Sequence, residues 1–179
     1  LPAMSRRQRQ MCIRDSSKAT RADLAFLREQ GWDKQIEKHL RYGGKVLGIC
    51  GGFQMLGERI DDPDSLEGEA GSMAGLGWLP MTTRLVPGKQ LRNVEGHFLP
   101  ADTRIQGYEI HNGITEGPAL LRPMLQFSQC QDGAISEDNQ IMGCYLHGLF
   151  DDAQAGTAIL RWAGLESLSL IHISEPTRQ

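Results

Sequence analysis

KVLGICGGFQMLG, residues 45–57, joins a short apolar run to a cysteine set among glycines, and then to a helix-like segment. Val46, Leu47 and Ile49 are β-formers with no polar residue between them, which suits a buried strand of a parallel sheet better than an exposed antiparallel one. Cys50 then stands at the strand's carboxyl end. Gly48 and Gly51 flank it as G-x-C-x-G, the thiol counterpart of the nucleophile elbow G-x-S-x-G. In such a turn the nucleophile's backbone is strained and flanking side chains would meet strand and helix, so glycines are needed and the sulfur is lifted into the open. A helix starting at Gly51 or Gly52 aims free N–H groups and its positive dipole end at that sulfur, favouring the thiolate of a group that otherwise titrates near pH ~8.5. A cysteine in apolar sequence is more often structural. The glycine spacing and the strand-to-helix switch make this one a nucleophile candidate, which needs a partner to take its proton.

The ends of the chain read differently. MCIRDS, residues 11–16, can be encoded by ATG TGT ATA AGA GAC AG, whose reverse complement reads LSLIHI, the sequence of residues 168–173. Residues 6–16 and 168–178 thus resemble one inverted DNA repeat translated on both sides of an insert, as transposase-delivered sequencing adaptors are, and they are set aside from fold reasoning. Residues 1–16 and 168–179 are expected to be non-native flanks, with residues 1–5 unassigned, and Cys12 and His172 to carry no function. Residues 17–167 are expected to be the biological domain, cut at both ends.

With 40% hydrophobic and 23% charged residues and a net charge of -3 over 179 residues, the chain reads as one globular domain. Its 19 basic residues against 22 acidic ones leave no excess for phosphate binding, so no nucleic-acid partner is expected. No apolar run approaches a membrane span, and no membrane partner is expected. With Cys12 discounted, Cys50, Cys130 and Cys144 are odd in number and lack a C-x-x-C spacing. That points to a reducing cytoplasm, with neither a disulfide framework nor a metal site.

Thr20 is placed to cap a helix over residues 21–30 with Leu24 and Leu27 inward; Trp32, Ile36 and Leu40 recur on a second helix, stopped by Gly43-Gly44. His39 falls on the charged side of that helix and reads as solvated. Residues 61–75 read as an acidic, glycine-rich surface loop, and residues 78–86 and 91–98 as strands parted by a Pro87-Gly88 turn. GYEIHNG, residues 107–113, reads as an extended segment ending in a turn. Residues 133–136 and 141–146 read as a hairpin whose second strand runs into His147-Gly148, and Asp151 as the cap of a helix carrying Ile159, Leu160 and Trp162 and ending at Gly164.

Outside the flanks, His39, His97, His111 and His147 are the histidines available to serve Cys50. His147 is placed best, because it ends an expected strand and precedes glycine, as a residue projecting from a sheet's carboxyl edge does. It shares that edge with Cys50 if their strands are parallel neighbours. His111 reads equally as a turn histidine bonded to backbone, and spacing does not choose between the two.

GICGGFQMLG, GYEIHNG and YLHGLFD, with SKATRADLAFLREQGWD and KQLRNVEG, closely resemble the glutamine amidotransferase domain of the cobyric acid synthase family over essentially all of residues 17–164. The resemblance implies an α/β fold of class I glutamine amidotransferase type, with a mostly parallel central sheet flanked by helices and cut short on its N-terminal side. It implies that Cys50 attacks the side-chain amide of glutamine, ammonia leaves, and water hydrolyses the glutamyl thioester, with His147 as general base and acid. Gly51 N–H would be one oxyanion donor, and Gly52, Gln54 and His111 would contact glutamine.

Two departures from the wider class I pattern matter. A glutamate usually stands two residues after the histidine to orient it, and Leu149 stands there instead, as it does in the cobyric acid synthase branch. The Pro-Gly expected just before Ser17-Lys18, in a loop supplying a second oxyanion donor, is replaced by Asp15-Ser16. The resemblance also implies a partner, an N-terminal synthetase domain that uses ATP and magnesium to amidate four carboxylates of a corrinoid, adenosylcobyrinic acid a,c-diamide. No G-x-x-x-x-G-K-S/T occurs, so no cofactor is expected in this segment. Lacking upstream strands and the oxyanion loop, the chain is expected to be a poor glutaminase. The alternatives are the amidotransferase of a,c-diamide synthase or of a cell-wall precursor amidating enzyme, and, outside enzymes, an idle docking module.

Overall fold

The computed structural model describes residues 19–165. The flanks set aside above, with Ser17 and Lys18, lie outside the described residues. Two helices come first, α1 (Thr20–Glu29) and α2 (Trp32–Arg41), hinged at Gly31. Leu24 is fully buried and packs with Ile60 and Leu85, while Leu27 is only partly covered. Thr20 is not a cap: Ala19 precedes the helix, and the Thr20 hydroxyl is buried and donates to Gln54 Oε1 at 3.2 Å.

The elbow follows as β1 (Val46–Ile49) and α3 (Gly51–Leu56). Then come β2 (Arg59–Asp62), β3 (Gly71–Ala74) and the two long strands β4 (Thr82–Phe98) and β5 (Thr103–Glu116). Short strands β6 (Leu125–Phe127), β7 (Gln131–Asp132) and β8 (Ala134–Ile135) lead to β9 (Ile141–Cys144), β10 (Leu146–His147) and α4 (Ala153–Trp162). One sheet has the order β1-β9-β8; the other runs β10-β5-β4-β2-β3, with β6 on β4 and β7 on β6.

The α/β class is as expected, but among the described residues parallel pairing is confined to β1 with β9 and β2 with β4. The other pairings are antiparallel; in β2–β3, β4–β5 and β8–β9 a short connection returns the chain alongside itself, while β10–β5 and β4–β6 join strands distant in sequence. Residues 61–75 are not simply loop, since the arms β2 and β3 pair across them. The two strands expected around Pro87-Gly88 are one strand. Its pairing with β5 shifts register between Leu85 and Gln90, so the proline, which has no N–H for the ladder, sits in a bulge rather than a reversal.

The expected strand over residues 141–146 is split at Tyr145. The Tyr145 and Leu146 amides donate to Asp132 Oδ2 at 2.9 and 3.2 Å instead of extending the ladder, and the chain passes into the other sheet. The last helix is capped one residue later than expected, by Asp152, whose Oδ1 accepts from Gln154 and Ala155 N–H. Its Ile159 packs with Phe98, Ile105, Met142 and Leu146 in the core beneath both sheets.

Candidate active site

Cys50 has φ 54 and ψ -114 between β1 and α3. A non-glycine residue at positive φ is uncommon, and holding one there costs on the order of 1–3 kcal/mol. The neighbours show what imposes this backbone. A Cβ at Gly48 would lie 2.7 Å from Leu56 Cδ1 and 2.8 Å from the Gly52 carbonyl oxygen, and one at Gly143 on the adjoining strand would run into the Phe53 ring. Strand and helix therefore approach too closely for side chains at those points. A Cβ at Gly52 would meet nothing within 4 Å, so Gly52 leaves open space above the elbow rather than relieving a clash. Gly51 is buried in the first turn of α3.

Parallel register sets Ile49 opposite Cys144, and Cys50 N–H donates to the Cys144 carbonyl at 2.9 Å. Three residues beyond Cys144 the chain reaches His147. His147 is thus not on the strand beside Cys50: β9 ends at Cys144, and the imidazole stands on β10 of the other sheet. The half-buried Cys50 also turns Sγ to the Ile110 carbonyl, 3.6 Å away on β5.

His147 pairs with Tyr108 across β10 and β5, and their rings stack with centroids 5.1 Å apart and planes 7° from parallel. Its Nε2 is buried and has no hydrogen-bond partner among the described residues. Burial first, then the nearby His111, lowers its pKa, so the ring is neutral at pH 7, the form that accepts a proton. No carboxylate bonds this ring among the described residues; Tyr108 supplies the flat surface against which it lies.

His111 is also half-buried with a lowered pKa, chiefly from burial. Its Nδ1 lies 3.0 Å from the Gly113 carbonyl, which can only accept, so the proton sits on Nδ1. The ring stacks on Tyr145 at 3.9 Å between centroids. The two imidazoles, close enough to influence each other's charge, each stack on a tyrosine, and His111 is held by a backbone bond as well.

Gln54 lies beneath the site rather than in its wall. It is 2% exposed, accepting from Thr20 and donating through Nε2 to the Tyr145 hydroxyl at 3.3 Å. The Tyr145 hydroxyl continues to Thr115 Oγ1 at 2.5 Å, which meets Thr83 Oγ1 at 2.7 Å. Gly113 permits this chain, because a Cβ there would sit 2.5 Å from Gln54 Nε2. His39 and His97 are remote and exposed: His39 Nε2 is 3.2 Å from the Lys45 carbonyl, and His97 Nδ1 is 3.3 Å from Asp102 Oδ1.

Sequence reading missed Tyr108, Asp132 and Tyr145. Tyr108 and Tyr145 stand inside motifs singled out for their histidines, GYEIHNG and YLHGLFD, and adjacency to a catalytic candidate was the one available signal. Asp132 carries no local signal at all, since its task is to bind backbone amides 13 and 14 residues away.

The chain is similar in fold to a chain of the structure of PurLQS from Thermotoga maritima, with a TM-score of 0.50 and 16% identity over 73% of this chain and 67% of that one. With the mixed sheet and flanking helices, this is the class I glutamine amidotransferase-like fold. A family model for the CobB/CobQ-like glutamine amidotransferase domain matches residues 10–155, beginning within the stretch read above as a flank. Spanning most of the chain and both the Cys50 and His147 segments, that match shows that this protein belongs to the CobB/CobQ-like glutamine amidotransferase domain family.

Proposed function

We propose that this amidotransferase domain releases ammonia from glutamine with Cys50 as nucleophile and His147 as general base and acid, and that it serves cobyric acid synthase. The observation that carries the chemistry is the strained Cys50 backbone, φ 54 at a strand-to-helix turn closed by Gly48. His147, neutral at pH 7, takes the thiol proton. The thiolate adds to the amide carbon of glutamine, the oxyanion is met by the Gly51 N–H, and His147 returns the proton to the departing nitrogen. Ammonia leaves, and His147 activates the water that hydrolyses the glutamyl thioester.

The choice of cobyric acid synthase rests on the motif set GICGGFQMLG, GYEIHNG and YLHGLFD. In this reading an N-terminal synthetase domain uses ATP and magnesium to pass the ammonia to carboxylates of adenosylcobyrinic acid a,c-diamide. Activity with cobyrinic acid but not with its a,c-diamide would assign the chain to a,c-diamide synthase instead.

The test is Cys50→Ala in the enzyme joined to its synthetase domain. Glutamine-dependent amidation should disappear while amidation from added ammonium salt persists, because the synthetase site is left intact. Loss of both would make Cys50 structural, and retention of both would make the domain a docking module.

A further inference from the structure

We infer that Gln54, Tyr145 and Thr20 are positioning residues for the Cys50–His147 pair: Gln54 fastens the elbow helix to the crossover that leads into His147, and does so instead of touching glutamine. The inference rests on the glutaminase reading above and reassigns a residue that resemblance gives to the substrate. Gln54 closes the first turn after the nucleophile, its N–H donating to the Cys50 carbonyl at 3.1 Å. Its side chain is turned inward, with Oε1 accepting from the Thr20 hydroxyl and Nε2 donating to that of Tyr145. Bonded at both ends of its amide and 2% exposed, it presents almost no surface to a substrate.

The thiol follows a strand of one sheet and the imidazole stands on a strand of the other, so aligning them requires a tie between the two. Tyr145 lies at that junction, after the last residue of β9 and two residues before His147. Among the described residues, its bond with Gln54 is the side-chain hydrogen bond that joins α3 to residues 145–147. The Tyr145 ring meets Phe53 of the same helix edge-on at 5.3 Å and lies flat on His111. The amide sets the polarity of the chain: Nε2 can only donate, so the Tyr145 hydroxyl is free to give its proton to Thr115, and Thr115 to Thr83. Each buried hydroxyl from Thr20 to Thr83 then has a partner, and a network satisfied along its length is rigid. Three of its members converge on Gly113, where a Cβ would lie 2.5 Å from Gln54 Nε2, 2.9 Å from Thr83 Cγ2 and 3.3 Å from the Tyr145 hydroxyl. The tie therefore fills the space between elbow and hairpin and leaves the crossover little room to shift.

The test uses the enzyme joined to its synthetase domain. Glutaminase kinetics are measured together with the pH dependence of Cys50 alkylation by iodoacetamide, which is read at the Cys50 peptide by mass spectrometry and needs no glutamine. Tyr145→Phe keeps both ring contacts and removes only the hydroxyl; Gln54→Met keeps the bulk and removes both bonds. Each should lower kcat about 10-fold while KM changes less than about twofold. Each should also raise the pH at which Cys50 becomes reactive, because a displaced imidazole no longer draws off the thiol's proton. The double variant should be no worse than the more severe single one, since both remove the same bond. Thr20→Val should show a smaller loss of the same kind, and Thr20→Ser, which keeps the hydroxyl, should restore it. A network that only packs the core would leave the alkylation profile where it is. Unchanged kcat and alkylation profile in Gln54→Met and Tyr145→Phe therefore overturn the inference. So does a KM raised at least ~10-fold at unaltered kcat in Gln54→Met, which returns Gln54 to the substrate. No ammonia release by the unaltered enzyme overturns the glutaminase reading; the alignment then stands if the alkylation profile shifts in the variants and falls if it does not.

Discussion

The elbow and the long β4–β5 hairpin build the site in opposite ways. At the elbow the close contacts are mostly among near neighbours, Gly48 against Gly52 and Leu56, with Gly143 of the adjoining strand against Phe53, and Cys50 is held at φ 54. On the hairpin side, His147 is held by a ring from another strand, and its strand is created by a carboxylate that captures two amides. Local sterics give an all-or-none element, whereas tertiary contacts give one that degrades in steps. Substitutions on the second side should therefore produce graded losses, and the order of those losses tests whether this contrast is right.

The largest expected effect is His147→Asn. It removes proton acceptance and proton return together, so turnover should drop at least ~10²-fold. Should His111→Asn produce that collapse while His147→Asn is mild, the two imidazoles have the roles reversed.

Next comes Asp132, whose pKa is raised to about 6 by burial, with Glu109 adding to it, although backbone N–H bonds oppose the shift. Its folded pKa lies above the unfolded value of about 3.9, so the ionised form is the costly one, by on the order of 3 kcal/mol at neutral pH. That cost is absent below pH ~4, grows as pH rises toward 6, and is constant above it. The stability difference between the parent and Asp132→Asn, measured by urea unfolding, should thus shift in the parent's favour from pH 7 to pH 5. Asp132→Ala should be destabilising at both, because two buried amides lose their acceptor, each at about 1–3 kcal/mol. A pH-independent difference for Asp132→Asn would mean that Asp132 is not the titrating group.

Tyr108 ranks third. Stacking of this kind contributes about 0.5–1.5 kcal/mol, so Tyr108→Ala should lower kcat by up to ~10-fold with little change in KM, and Tyr108→Phe should restore it. A KM effect shared by Ala and Phe would instead point to the hydroxyl touching substrate.

The legibility of the chain follows the same division. G-x-C-x-G, the apolar run before it and the helix after it were readable because their causes lie within a few residues, and α1, α2 and α4 were readable from periodicity. The strand running through the Pro87 bulge was not, since only pairing with β5 on both sides shows that the chain does not reverse. Thr20 looked like a cap because a hydroxyl before a helix usually is one; its burial against Gln54 depends on where α3 packs. Gln54, expected by resemblance to contact glutamine, is 2% exposed and tied to Thr20 and Tyr145, partners that no local pattern announces.

The smallest expected effect separates the two imidazoles most finely. Burial and the charge of His111 both lower the His147 pKa, so the acid limb of kcat/KM in the unaltered enzyme should lie below the ordinary histidine value of about 6.5. His111→Asn removes the charge but not the burial. An ammonium or imidazolium neighbour disfavours the protonated form of His147, so its removal lets that pKa rise, and the acid limb should move to higher pH while remaining below its ordinary position. The plateau rate should change little if His111 only binds and shapes the site. An acid limb that stays in place would show that the two rings do not communicate by charge, and one that moves to lower pH would identify His111 as the group whose deprotonation is being measured.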